Sequence, residues 1–528
     1  MREIWAADCE TDPFDGVTIV QPFIWGALNV ETREYQTFHT TSDFVDFFRD
    51  RVCVVYAHNG GKFDWHFLLP YFEPEQRLMV IAGRIAKFKI GECEFRDSFN
   101  IMPMPLSAVA KDEFDYEILK KGERDKPHNR VAIENYLRSD CVHLADMLVS
   151  FIAEFGFHLT QAGASVKAWE KISKEKAPET DSEFFNTIAP YYFGGRVEVF
   201  EQGEINDEFT IIDLNSAYPD AMMRLHPWGN TITVGDELPN SRGAIERSFI
   251  TLKGPSLGAL PWREKRGASL SFPADGESRE FMCTGWEFFS AKETGCLPYF
   301  DILEVVTLAN CMHFREYLNY FYQMKTDAKK AGDKARYEFS KRFLNSLYGK
   351  MGANPEEYEE YKTIEPCYIE AAEMDGYEFR AEVGKLAMVG RPLSEERRRY
   401  YNVATAASIT GYVRAAWWRA ARQCSGVIYG DTDCIFARKI GQEIELHPEK
   451  LGAWDIEAVC KYGAIAGKKL YAVETKEGKW KKASKGVKLT EKEIIAVARG
   501  ATITHNPIAP TFSISRGIKF NPRKIQMR

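Results

Sequence analysis

The stretch Ile428-Tyr429-Gly430-Asp431-Thr432-Asp433-Cys434-Ile435-Phe436 decides how this chain is read. Val427, Ile428 and Tyr429 read as an incoming strand, and Ile435 and Phe436 as an outgoing one. The turn between them presents Asp431 and Asp433 at a hairpin tip. Two carboxylates so placed repel each other unless a cation lies between them. Mg2+ suits the position, because it takes carboxylate oxygens together with substrate phosphate oxygens. The competing reading is an ordinary surface turn, since Asp is common in turns. The remainder of the chain decides between the two.

A length of 528 residues suits roughly three to four domains. Hydrophobic content of 45% and charged content of 27% describe a globular chain. The net charge of −7 argues against a simple nucleic-acid coat, which is basic overall. It leaves room for an enzyme with local basic surfaces. One such region is 468–488, with eight lysines against Glu474 and Glu477, which also reads as a solvated loop. The 11 cysteines are scattered and contain no CxxC pair, and Met1-Arg2-Glu3 leads straight into a strand without a secretory signal. Reduced thiols in a cytoplasm are therefore expected. Cys9, Cys141 and Cys434 adjoin acidic motifs and read as small packing residues. The uncharged run 400–413 is too short to span a membrane, and no solenoid-like repeat is found.

Ile4-Trp5-Ala6-Ala7-Asp8-Cys9-Glu10-Thr11 reads as a strand with Asp8 and Glu10 on one face, by its period of two. A second strand, 52–57, runs into His58-Asn59-Gly60-Gly61-Lys62-Phe63-Asp64. The glycines mark a turn, and Asp64 opens a helix with Phe67 and Leu68 on its buried side. Alone, Asn59 is equally a turn residue and His58 a satisfied core histidine. Residues 132–149 have helical periodicity and carry Tyr136 and Asp140 one turn apart, on the same face. Asp8, Glu10, Asp64 and Asp140 could hold two divalent ions about 4 Å apart and activate a water against a phosphodiester. Tyr136 would orient that water.

These segments resemble the three motifs of a proofreading 3′–5′ exonuclease of the DEDDy type, on a ribonuclease H-like fold. Lys111, in Lys111-Asp112-Glu113-Phe114-Asp115-Tyr116, matches a lysine that contacts the scissile phosphate in such enzymes. The resemblance also implies single-strand contacts at His58, Asn59 and Phe67.

Tyr192-Phe193-Gly194-Gly195 follows, then Arg196. Paired glycines let backbone amides approach phosphates, and Arg196 adds charge; a plain turn is the alternative. The four residues are similar to the YxGG linker of one polymerase branch, which contacts template. Ile211-Ile212-Asp213-Leu214-Asn215-Ser216-Ala217-Tyr218-Pro219 delivers Asp213 from an apolar strand and resembles motif A of family B DNA polymerases, with Ala217 in place of the usual Leu. The likeness makes Asp213 a metal ligand, Ser216 a DNA contact, and Tyr218 the residue beneath the incoming sugar.

Residues 339–351 read as a helix with Phe339, Phe343 and Leu347 in one apolar stripe and Lys334, Lys341, Asn345 and Tyr348 on another face. A lysine set back from an aromatic on one face suits a triphosphate and a stacked base. The segment resembles motif B, KxxxNSxYG. The opening hairpin is then motif C, with Asp433 ligating the ions with Asp213, Asp431 supporting them, and Cys434 replacing the usual Ser. Lys469-Leu470-Tyr471 is similar to the KxY motif that contacts primer.

Two segments narrow the branch. The 128 residues from Asp213 to Lys341 exceed what the fold needs. Between motifs B and C, 367–374 and 377–383 read as strands joined by Asp375-Gly376, a hairpin signal. These resemble the two insertions of protein-primed phage and plasmid polymerases, with tailless membrane-containing phages the nearest likeness. The expected fold is multidomain α/β. An exonuclease domain spans 1–165, the linker and first palm part 166–226, and the first insertion 227–324. The fingers span 325–352, the second insertion 353–392, the second palm part 393–483 and the thumb 484–528.

The implied activity is DNA-directed DNA polymerisation with proofreading, protein-primed initiation and strand displacement. It needs two Mg2+ or Mn2+ ions per site and dNTPs. The implied partners are primer-template, single-stranded DNA and a terminal protein. The expected enzyme is monomeric, or heterodimeric with that protein, in the cytoplasm of an infected bacterium and without a membrane association. Three alternatives stay open: a nuclease whose C-terminal half only guides DNA, a DNA-binding replication scaffold, and a polymerase that starts without a primer. Asp213, Lys341 and Asp433 speak against the first, and the retention of both acidic sets against the second.

Overall fold

The computed structural model describes residues 2–16, 18–110, 112–265, 267–514 and 517–527. At the centre of the N-terminal sheet, Glu3–Thr11 runs parallel to Cys53–Ala57, which runs parallel to Cys93–Asp97. Alternation sends Trp5, Ala7 and Val55 to one face, where Phe44 and Phe48 of the helix Thr41–Arg49 cover them. Ala6, Val54 and Tyr56 point to the other, against Cys141, Leu144 and Leu148 of the helix Pro127–Phe155. Pro127 starts that helix, where its missing N–H costs nothing. Because Asp8 and Glu10 share the face of Ala6, the same helix brings Asp140 to them. Asp64 sits on a single short 3-10 turn, Asp64–Phe67, rather than on the longer helix expected.

This sheet has ten strands, and three come from far along the chain. Beyond Arg84–Ile90 and Arg77–Ile81 it continues into Glu359–Ile364, Leu386–Pro392 and Glu378–Val383. The joint pairs Glu360 with Met79, Tyr361 with Leu78 and Lys362 with Arg77. Thr363 donates its N–H to the Gln76 carbonyl at 3.0 Å, and Lys362 reaches Glu75 at 3.1 Å.

Inside this insertion the expected hairpin is corrected. Ile369–Met374 is a helix, and Asp375-Gly376 is its stop. Gly376 takes φ +80°, its N–H bonds the Glu373 carbonyl, and the Tyr377 N–H bonds the Ala372 carbonyl. That is a Schellman closure, which also favours Gly. The run Ile-Glu-Ala-Ala-Glu-Met is made largely of good helix formers, so propensity outweighs the turn signal. The true hairpin joins Glu378–Val383 to Leu386–Pro392 and turns at Gly384, φ +61°.

The second large sheet has eight strands. Phe209–Leu214 lies at its centre, between Cys434–Lys439 and Trp454–Gly467. A separate antiparallel sheet of four strands fills the long insertion, with the helix Gly285–Glu293 against it. Helices Arg315–Ala331 and Lys334–Met351 then form a hairpin reversing at Gly332, φ +70°. Phe155, at the end of the long N-terminal helix, stacks on Phe343 of this hairpin at 4.2 Å. The expected boundaries at 165/166 and 324/325 fall inside the helices Gln161–Ser173 and Arg315–Ala331. The C-terminal segment carries the helix Glu491–Ala498 and two small ribbons. Phe512, on one ribbon, packs 5.0 Å from Phe63 and 5.9 Å from Phe67 of the N-terminal part. No helix among the described residues is long and apolar enough to cross a membrane.

Candidate active sites

The N-terminal acids meet where the first strand passes under the long helix. Carboxylate oxygens of Asp8, Glu10 and Asp140 lie within 4.8 Å of one another. Burial and the charges of Asp64, Asp140 and Glu10 push Asp8 well above the usual carboxylate range. Burial, with Asp140 and Asp64, pushes Glu10 up to about 8. Carboxylates held this way are short of positive charge, which a divalent ion could supply. Asp64 stands beside the three, and burial raises it to about 7. Its Oδ1 accepts the Cys9 thiol proton at 3.2 Å, so Cys9 does more than fill space.

Tyr136 stacks on Phe114 at 4.0 Å, and its hydroxyl bonds that of Tyr116 at 3.0 Å. Tyr116 escaped the sequence reading, although it lies in the motif quoted around Lys111. Lys111 itself lies outside the described residues. His58 is internal: Nε2 reaches the Met104 carbonyl at 2.6 Å and Nδ1 lies 3.0 Å from Ser98 Oγ. Both ring nitrogens are engaged in this way. Asn59 is exposed in the left-handed region, φ 69°, and its Oδ1 accepts from Arg84 at 2.7 Å. Phe67 is 7% exposed and packed among aromatic rings, which removes it from the surface.

In the second sheet, Asp213 lies near the end of the central strand, directly opposite Cys434, with Asp433 one residue away. The Leu214 N–H bonds the Asp433 carbonyl at 2.7 Å, locking motif A to motif C. Burial and then Asp433, Glu457 and Asp455 raise Asp213 to about 7. Burial also raises Asp433. Asp455 and Glu457 were missed from sequence, although Asp-Ile-Glu alternates as Asp-Cys-Glu does. Asp455 is the strand partner of Asp213. Asp431 faces inward: it accepts from Lys469 Nζ at 2.7 Å, Thr432 Oγ1 at 3.1 Å and Tyr429 at 3.3 Å. Lys469 is thus tied to motif C, and Tyr471 packs on Tyr429 at 5.2 Å.

Tyr218 and Tyr348 stack at 4.4 Å with their planes 16° apart, so motif A meets motif B through two rings. Lys341 and Asn345 are exposed and line an open cleft of about 420 Å3 with Glu338 and Gln161. Lys334 opens the helix and is exposed. Ser216 is exposed and left-handed, φ 53°. Gly194 is exposed and half-buried Tyr192 lines a cleft of about 830 Å3 with Arg263 and Lys265. Gly195 fits flush on Thr432, where a Cβ would lie 2.7 Å from Oγ1. Arg196 corrects the reading of a surface charge, since it is 1% exposed. Its guanidinium bonds Glu198 and, at 2.8 Å, the Gly258 carbonyl.

The family described as DNA polymerase type B, organellar and viral, matches residues 111–378. The DNA-directed DNA polymerase of Enterobacteria phage PRD1 is 36% identical over 93% of this chain and 87% of its own length. The chain is a type B DNA polymerase. The DNA polymerase of Bacillus phage phi29 is 24% identical to it, over 89% of this chain and 86% of its own. Phi29 DNA polymerase complexed with primer-template DNA and incoming nucleotide superposes at a TM-score of 0.78, with 18% identity and all of both chains covered. The fold is accordingly that of a multidomain α/β family B polymerase.

Proposed function

We propose that this DNA-directed DNA polymerase of phage type carries two separate two-ion centres, one for synthesis at Asp213 and Asp433 and one for 3′–5′ proofreading at Asp8, Glu10, Asp64 and Asp140. The observation that carries the reading is the pair of partly buried carboxylate clusters, on different sheets, each with members pushed above the ordinary carboxylate range. Mg2+ or Mn2+, when bound, stabilises charge on the attacking and leaving oxygens of an in-line displacement. Asp213 and Asp433 would hold the ions, and Lys469 keeps Asp431 in place beside them. Lys341 and Asn345 would bind the triphosphate from the exposed face of the fingers helix. Tyr348 would lie on the nascent base pair, with Tyr218 under the sugar. In the N-terminal centre, Tyr136 would orient the hydrolytic water once a bound 3′ end displaces its bond to Tyr116.

Protein priming belongs to the same reading. The 227–324 insertion lies outside the two-ion chemistry, and the likeness to protein-primed polymerases supports reading it as a docking surface for a terminal protein. Its host would be an infected bacterium. Asp433→Asn should abolish nucleotide addition and leave degradation of single strands intact, whereas Asp8→Ala should do the reverse. Both rates are read on one labelled oligonucleotide, with circular dichroism to show an intact fold. Loss of both activities in either variant would refute two independent centres.

A further inference from the structure

Arg196 lies next to the linker glycines, yet its side chain reaches no solvent, being 1% exposed. Two different domains close around it. From the insertion, the Gly258 carbonyl accepts from Nη1 at 2.8 Å and Phe272 lies 4.1 Å below the guanidinium. From the palm helix Val403–Gln423, the rings of Trp418 and Trp417 lie at 4.4 and 4.7 Å. Glu198 takes both remaining edges of the fork. A guanidinium stacks on flat rings and bonds along its edge at the same time, which an ammonium does not.

What this cage holds is the motif C turn. The Arg196 carbonyl accepts the Thr432 N–H at 2.6 Å, at the left-handed residue, φ 62°, between the two aspartates. Trp417 donates Nε1–H to the Cys434 carbonyl at 2.9 Å. Its ring lies flush on Gly430, where a Cβ would come within 2.1 Å of Cζ2. One side of the caged arginine thus meets the turn through backbone, and the other meets both strands through Trp417.

We infer that Arg196 is a positioning residue for the polymerase ion site, through which the insertion braces the motif C turn. The inference rests on the reading of Asp213 and Asp433 as the ion ligands. It makes the insertion part of the synthetic centre's support. Changes to groups that orient metal ligands cost about 10–100-fold in metal affinity, and that is the size expected here.

The experiment titrates Mn2+ by electron paramagnetic resonance in the full chain, without chemistry. It uses a dideoxy-terminated primer-template, the matching dNTP and an Asp8→Ala background that removes the N-terminal cluster. Arg196→Met should weaken Mn2+ binding at least about tenfold. Arg196→Lys should recover part of the loss, and degradation of single strands, measured without the Asp8 change, should stay at the parental rate. Phe272→Leu, on the insertion side of the cage, should reproduce the defect in smaller size and decides the matter if Arg196→Met does not fold. Unchanged Mn2+ affinity in folded Arg196→Met, or in Phe272→Leu when it stands in, overturns the proposal. Asp433→Asn is titrated in parallel. If it too leaves Mn2+ binding intact, the ion-site reading fails, and not the brace alone.

Discussion

On the proposed reading Tyr218, stacked on the Tyr348 ring at 4.4 Å, lies under the incoming sugar. Tyr218→Val should therefore raise ribonucleotide incorporation relative to deoxynucleotide by about tenfold or more, the scale of one steric contact. Single-nucleotide kinetics with both sugars read this, and unchanged discrimination would remove the role. The N-terminal acids make a second prediction at this scale. Glu10 and Asp64 are raised to about 8 and 7, so the ion-free fold holds protons that the unfolded chain has released. Their contribution to stability is present at about pH 4 and is lost as pH rises through those values. If Mg2+ replaces the protons, as the proposed ion centre requires, its gain in melting temperature should be larger at pH 8 than at pH 5. Asp8→Ala should shrink that difference; an equal gain at both pH values in the parent would contradict it. Spacing put Asp8 and Glu10 on one strand face and Asp140 one helical turn from Tyr136, while the resemblance, and not spacing, joined these pairs to each other and to Asp64. Asp455 and Glu457 were not legible, since they matter through pairing with the Asp213 strand. Nor was Arg196, because burial of a charge depends on walls contributed by other domains.

Among the elements, the second insertion was the hardest to read. Asp-Gly suits a type I′ turn and a helix stop equally well, and only the residues before it decide. The corrected topology makes a cleaner deletion possible. Ile364 pairs with Ala387, so removing 366–384 and bridging with a short turn leaves antiparallel neighbours joined and the edge at Arg77–Ile81 covered. Exposed Tyr368, Met374 and Phe379 would leave with the segment. If this element confines DNA, extension of short primers should stay near normal while products on singly primed circles shorten in the presence of trap DNA. Equal lengths with and without 366–384 would assign it another task.

For the molecule as a whole, the proposed protein priming would require one synthetic centre to serve two primers. Arg263 and Lys265 share the linker cleft with Tyr192, and Arg263 lies 5.1 Å over Phe193. Charge reversal at Arg263 and Lys265 should reduce initiation and elongation alike. Docking of a partner is better tested at Tyr299 and Leu303, exposed at 62% and 44% on the insertion. Their double change to Ser should slow label transfer to the terminal protein and spare extension of an oligonucleotide, because only initiation depends on how the partner is held. A parallel fall in both rates would place these residues in the synthetic core.

The ten-stranded sheet bears on how such an enzyme can be divided. Chain order suggests that a cut near residue 160 releases a self-contained N-terminal unit. The pairing of Lys362 with Arg77 denies it. That cut would bare one strand edge on each fragment, and unpaired edges recruit other chains. Exchange of this domain between relatives must therefore carry 353–392 along, so the natural unit of transplantation is discontinuous in the gene.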